Sequence, residues 1–291
     1  NNVRPEREVE FLQEFPPIYS QPYPVLSSPT IVIDDEGRII VWYLPDILFR
    51  VRQVKIWDHS RTLDNILRKS VATQKKSSWR VSKSQFVSNE FQGCINISPA
   101  WFQRGHDTNN DNLEVSALLK SPGPARKWVL QMIPTFHLLN AIARIIHPDQ
   151  HMIGRQAINK LMRDPSWVKE GMSAKELMDS WTTVFSALAI ILNRDTPAHR
   201  DMSSPQFGLD MMLSVGGYTS AYMTLPGLGL ELLWTSGAIT ALSGPLIVHE
   251  VKNSPADRLC IAFYMRSNVH KKLRLLPIQY MTQQRHLSTR I

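Results

Sequence analysis

The sequence predicts an α+β fold in which a helical layer packs against a C-terminal β-sandwich or barrel. Three observations carry that expectation. Between Lys127 and Met162, apolar residues recur at three- and four-residue spacings, the period of helices buried along one face. After Arg194 the chain changes to short apolar runs split by Gly and Pro, spaced roughly ten residues apart like the strands of an antiparallel sheet. With 291 residues, 43% apolar and 20% charged, the chain has the means to bury a sizeable core.

The first 30 residues, with "FPPIYSQPYPVLSSP", are too rich in Pro for regular structure and are expected to wrap over the core. Thr30 to Leu44 reads as a hairpin, two β-branched runs flanking a turn at Asp34–Gly37. Arg68 to Lys83 holds Arg68, Lys69, Lys75, Lys76, Arg80 and Lys83 with no acid. That segment is either a solvated loop or a phosphate-contacting one. Helices follow over Lys127–Ile146 and Met152–Met162. Ser173 to Glu176 has the pattern of a capping box and predicts a further helix running on to Leu192. Beyond it, "LDMMLSV", "LELLW", "LIVHEV" and "RLCIAFYM" read as strands. There is no internal repeat. The expected organisation is a single domain: a wrapping segment over 1–125, a helical layer over 126–193 and a β core over 194–291.

Lys and Arg number 33 against 25 Asp and Glu, a net charge of +8 that suits a polyanionic partner such as nucleic acid or an anionic membrane. Cys94 and Cys260 are too few for a disulfide scaffold or a zinc-finger array, so a reducing compartment is the simpler expectation. The longest apolar run, Val184–Leu192, is too short to cross a bilayer, and the N-terminus lacks an apolar signal core. Neither a membrane nor an obligate protein partner is expected, and the chain reads as a trimmed soluble piece.

His199 and Asp201 stand two apart, on one side of an extended segment. His249 lies in the strand "LIVHEV". Two His and one carboxylate on an antiparallel barrel make the facial ligand set of non-haem Fe(II) oxygenases, which leaves open positions on the metal. His147 and Asp149 repeat the spacing between two predicted helices, where Asp149 is better placed to cap the second helix. Alternation along "RLCIAFYMR" sets Arg258, Cys260, Ala262, Tyr264 and Arg266 on one face and Leu259, Ile261, Phe263 and Met265 on the other. If the apolar face meets the helices, Arg258 points into the barrel and needs an anion; a carboxylate such as the distal one of 2-oxoglutarate fits its planar fork. The alternative is an exposed arginine on an edge strand. Trp101, Trp128, Trp167 and Trp181 read as packing residues, Met211 and Met212 as core filler, and His270 and His286 as surface residues.

Together, "HRD" at His199–Asp201, the stretch Gly216–Val251 and "RLCIAFYMRSNVHKKL" from Arg258 resemble the oxygenase domain of the TET/JBP (ten-eleven-translocation and J-binding-protein) family, especially its fungal branch. The resemblance implies a double-stranded β-helix (jelly-roll) flanked by helices. It also implies a nuclear enzyme that uses Fe(II), 2-oxoglutarate and O₂ to oxidise the methyl group of a base in duplex DNA. His199, Asp201 and His249 match the iron ligands, Arg258 the 2-oxoglutarate arginine, and Tyr264 an aromatic that stacks on a flipped base. Cys260 stands where animal relatives often carry Ser near the cosubstrate. Arg266 stands where they have a His near the base, and Ser204 where they have an Asn. These departures bear on base choice, so N6-methyladenine stands beside 5-methylcytosine as a substrate. Lys75, Lys76, Arg80, Lys83, Lys271 and Lys272 are the candidates for gripping phosphates. The rival readings are an AlkB-like nucleic-acid demethylase, a protein hydroxylase of the same superfamily, and a DNA-binding module with an inactive pocket.

Overall fold

Two β-sheets face one another, and helices cover the outer face of the larger; this is the jelly-roll α+β fold. The computed structural model describes residues 5–72, 78–87, 91–103, 111–252 and 256–288. In chain order the elements are α1 (Pro5–Glu14), β1 (Val25–Leu26), β2 (Thr30–Ile33), β3 (Ile39–Leu44), α2 (Arg50–Arg61), α3 (Asp64–Ser70), β4 (Gly93–Ile97), α4 (Pro124–Ile146), α5 (Pro148–Arg163) and α6 (Lys175–Ser180). They continue as β5 (Ala187–Leu192), β6 (Thr196–His199), β7 (Asp210–Gly216), β8 (Tyr222–Leu225), β9 (Leu230–Leu233), β10 (Ile239–Leu242), β11 (His249–Val251), β12 (Arg258–Tyr264), α7 (Ser267–Lys272) and α8 (Gln283–Ser288). The larger sheet runs β2-β3-β10-β7-β12-β5-β4 and the smaller β1-β9-β8-β11-β6.

Side-chain alternation divides the interior into two cores. Trp42, Met211, Leu213, Ile239, Leu259, Ile261 and Phe263 point from the larger sheet toward the helices and join the main core. Val41, Tyr43, Met212, Leu242 and Cys260 point the other way and meet Met223, Leu225, Leu232 and Val251 of the smaller sheet. Phe263 is the hub of the main core: its ring lies edge-on to Phe136 of α4 at 5.9 Å and to Phe185 at 5.8 Å.

Several expectations need correction. Val184–Leu192 does not continue a helix. The helix stops at Ser180 and residues 187–192 form β5, hydrogen-bonded between β12 and β4. A strand buried on both faces is as uniformly apolar as a buried helix, and Ile190 and Ile191 favour the strand. The first 125 residues do more than wrap, because β2, β3 and β4 are strands of the larger sheet and β1 pairs in parallel with β9. By length and composition α4 could cross a membrane; here it lies against the core through Trp128, Met132, Phe136 and Leu139. The cap of α5 is His147, whose Nδ1 accepts the Gln150 amide, while Asp149 pairs with Arg285 at 2.6 Å. His270 and His286 are buried rather than exposed, and His286 packs edge-on against Trp42.

Truncating Phe263 to Ala removes the ring on which Phe136 and Phe185 rest and should cost about 3–5 kcal/mol. The readout is a lower urea midpoint at unchanged m; a loss under ~1 kcal/mol would show that the core collapses around the gap. Burial drives both His147 and His270 down to a pKa of about 4, from 6.5 when exposed. For His270 burial is the whole cause of the shift. Both are therefore neutral in the fold, and the stability they lend is complete above about pH 6.5 and lost as pH falls toward 4. Denaturation at a series of pH values should show this loss, with His270→Gln flattening the profile; an unchanged profile would remove His270 from the account.

Candidate active site

β6 ends and β11 begins on a histidine. Antiparallel register sets His199 opposite His249, with ring centroids 4.3 Å apart. A register shift between His249 and Val251 bends the ladder beside the pair. His199 Nδ1 lies 2.9 Å from the Pro197 carbonyl and 3.1 Å from that of His249, and His249 Nδ1 lies 3.1 Å from the Ile247 carbonyl. A carbonyl only accepts, so each Nδ1 carries the proton and donates, and each neutral ring keeps its lone pair on Nε2.

Both Nε2 atoms face Asp201 Oδ2, at 3.6 Å from His199 and 3.8 Å from His249. Asp201 sits in the turn after β6, where its amide donates to the Gly244 carbonyl at 2.9 Å. Its other oxygen, Oδ1, accepts from Arg80 Nη2 at 2.7 Å. Burial raises the Asp201 carboxyl, but its contacts with the His199 and His249 rings and with the Arg80 guanidinium outweigh it and hold the group well below the usual carboxylate range. Burial and the neighbouring His199 lower His249 to about 4. Two imidazole lone pairs and one ionised oxygen, all within 4.8 Å of one another, form a donor set that fits a divalent cation such as Fe(II).

Arg258 opens β12 and is buried. Its amide donates to Asn193 Oδ1 at 2.7 Å, and its Nη2 donates to the Arg194 carbonyl at 2.8 Å. Asn193 takes a positive φ of 52° between β5 and β6, and its Nδ2 also donates to Phe91 and Asp257. The turn leading to the His199 strand is thereby tied to the strand that carries Arg258. The expected alternation of β12 holds: Arg258, Cys260, Ala262, Tyr264 and Arg266 face one cavity of about 250 Å³, which His199, Asp201, His249 and Ser204 also line. Burial raises the Cys260 thiol and the Tyr264 phenol. The Tyr264 hydroxyl donates to Asn96 Oδ1 at 3.1 Å, and the Arg266 guanidinium lies over the rings of Tyr264 and Trp101. Trp101 packs at the edge of the main core, as expected, with the Arg266 guanidinium over its ring, and Met212 lines the cavity as well as filling core.

Of the basic candidates, Arg80 belongs to the cavity, bound to Asp201 rather than presented on a surface. Lys83 and Lys271 are exposed and Lys272 is half-buried, and none of the three lines the cavity; Lys75 and Lys76 lie outside the described residues. Sequence reasoning missed the group around Arg80. The Trp79 ring stands edge-on to His199 at 4.9 Å, with the guanidinium groups of Arg80 and Arg194 over it at 4.5 and 5.0 Å. Arg194 also donates to the Arg80 carbonyl and to Cys94 Sγ, each at 3.1 Å. The one sequence signal was a Trp beside an Arg in a segment without acids. Asp210 was missed too; it is buried beneath Ser204, which donates to its Oδ2 at 2.7 Å.

Residues 98–267, more than half of the chain, match the family profile Tet_JBP, described as the oxygenase domain of the 2OGFeDO superfamily. Among solved structures the chain is similar to NgTET1 in complex with 5mC DNA, at 13% identity and a TM-score of 0.51, covering 91% of this chain and 85% of that one. A 2OG-Fe(II) oxygenase family oxidoreductase from Burkholderia pseudomallei aligns at 16% identity over 34% of this chain and 55% of its own, with a TM-score of 0.25. No curated protein matches the chain.

A Cβ added at Gly244 would stand 2.3 Å from Asp210 Oδ2 and 3.0 Å from Asp201 Cβ. Gly244→Ala should therefore displace Asp201 and weaken Mn(II) binding about 10–100-fold by calorimetry, the usual range for disturbing a ligand's support. Wild-type affinity in that variant would mean the Asp201 turn has room to adjust.

Proposed function

Because the chain belongs to the Tet/JBP family of 2-oxoglutarate/Fe(II) oxygenases, we propose that it oxidises the methyl group of a methylated base in duplex DNA, with 5-methylcytosine and N6-methyladenine as substrates. One observation carries the reading: the His199–Asp201–His249 group, Arg258 and the candidate base-binding residues Tyr264, Arg266 and Ser204 line a single cavity. A relative of similar fold solved on 5mC DNA supports it. On this reading the protein works in the nucleus, as one of the family's fungal members.

In this scheme His199, Asp201 and His249 hold Fe(II), and Arg258 holds the distal carboxylate of 2-oxoglutarate, with Cys260 beside it. When bound, iron, 2-oxoglutarate and O₂ supply the oxidising power that hydroxylates a methyl C–H and releases succinate and CO₂. The protein's part is to bind and to orient. The Nδ1–H bonds of the two histidines to backbone carbonyls keep both Nε2 lone pairs aimed at one point. Arg80 occupies Asp201 Oδ1 and leaves Oδ2 for the metal. A base cannot be reached inside the duplex and must be flipped, whereupon Tyr264 stacks on it while Ser204 and Arg266 bond its edge. Lys83, Lys271 and Lys272 grip the phosphates, and Lys75 and Lys76 join them.

The test is base-resolved mass spectrometry of duplexes carrying 5-methylcytosine or N6-methyladenine after incubation with Fe(II) and 2-oxoglutarate, with a peptide library in parallel. Oxidised base with equimolar succinate is the expected result; turnover on peptides alone would overturn the reading. Asp201→Ala should abolish turnover with the fold intact. Arg258→Ala should chiefly raise the KM for 2-oxoglutarate, by ~10-fold or more for loss of a charge-assisted pair of about 1.5–3 kcal/mol.

A further inference from the structure

Helix α1 lies over the outer face of the smaller sheet, behind the strands that carry the two histidine ligands. Alternation turns His199, Asp201 and His249 into the cavity, and Ala198, Arg200, Val248 and Glu250 toward α1. The helix is lightly held. Val9, Phe11 and Phe15 are exposed, and a cleft of about 1100 Å³ opens between α1 and residues 245–248. Arg200 spans that gap. Its Nε and Nη2 donate to the two carboxylate oxygens of Glu8 at 2.8 and 2.9 Å, while Nη1 donates to the carbonyls of Leu246 and Pro245. The loop it braces supports two of the ligands: the Gly244 carbonyl accepts from the Asp201 amide, and the Ile247 carbonyl from His249 Nδ1. One guanidinium therefore joins α1 to the loop on which Asp201 and His249 rest, and its planar fork allows it to serve both sides at once.

We propose that Arg200 and Glu8 are positioning residues for the metal site and that α1 is a strap coupled to it: docked, the helix keeps the ligands in place, and undocked, it lets metal affinity fall. The inference rests on the reading of His199, Asp201 and His249 as metal ligands. With Glu8 withdrawn, the guanidinium loses the partner that orients it, and the 243–247 loop loses a fixed donor beside the Asp201 and His249 supports. Groups that orient a metal's ligands govern its affinity even where they never touch it. Coupling of this kind is reciprocal, so a bound ion must hold α1 down as much as α1 holds the ion. At ten residues the helix is too short to persist alone, and undocking therefore melts it. A contact that draws α1 away lowers metal loading without entering the cavity.

The experiment has two arms, both on the metal-free protein titrated with Mn(II). In the first, calorimetry compares wild type with Glu8→Gln, which keeps the volume and removes the charge. Affinity should fall at least fivefold, the low end of typical couplings between sites. Arg200→Met should weaken binding at least as much, and the double variant no further than Arg200→Met alone. Glu10→Gln, an exposed site on the same helix, should leave affinity within twofold. In the second arm, saturating Mn(II) should slow deuterium exchange of the amides of residues 9–14 at least fivefold in wild type. Wild-type affinity in Glu8→Gln, or α1 exchange that ignores the metal, would overturn the proposal. If Arg200→Met does not fold, Glu8→Gln and the exchange arm decide without it. A wild-type protein that binds no Mn(II) would fail the reading of the ligands themselves, and that control is read before any variant.

Discussion

Strand β12 forms the boundary between the helical core and the interior of the β-sandwich, and the two-residue repeat of its side chains ties the two together. Leu259, Ile261 and Phe263 can reach α4 only if Arg258, Cys260 and Tyr264 face the other way. A slip of one residue would bury the arginines against Phe136 and expose the core face to the cavity. The six pairs to each of β5 and β7 hold that register. The free energy of burying Phe263 therefore also holds Arg258 at the cavity. Fold and site share one constraint.

Much of the site was legible because it follows local rules. The spacing of His199 and Asp201, the strand placement of His249 and the alternation from Arg258 to Arg266 are all written in short stretches of sequence, and the structure brings these residues to one cavity. What local rules cannot supply is partnership across the chain. Arg80 lies 121 residues from Asp201 in sequence, and its charge gave no sign that its partner was a single carboxylate at the cavity rather than a polyanion. Asn193 reads as an ordinary turn residue until its bonds to Phe91, Asp257 and Arg258 are seen. The misread helix over Val184–Leu192 has the same origin, because whether a short apolar run becomes strand or helix is decided by the neighbours it meets.

The Trp79 group changes what the net charge of +8 means. Arg80 and Arg194 spend their charge inside the protein, over an indole ring and against Asp201, Cys94 and the backbone. Arg200, between the two ligands of the His–x–Asp motif, turns outward instead and is gripped by both carboxylate oxygens of Glu8 on α1, at 2.8 and 2.9 Å. Part of the basic excess thus organises the cavity and its outer wall. Composition counts such residues as surface charge, although they serve as internal braces.

The order of strands also sets a schedule for the growing chain. β3 pairs with β10 and β1 with β9, so the earliest strands wait for partners made about two hundred residues later. Glu8 must wait as long for Arg200. Contacts of such long range slow folding and leave apolar strands without cover during synthesis. During translation, then, the N-terminal third holds apolar strands without partners, and the cavity first takes shape when β12, the last strand made, inserts between β5 and β7.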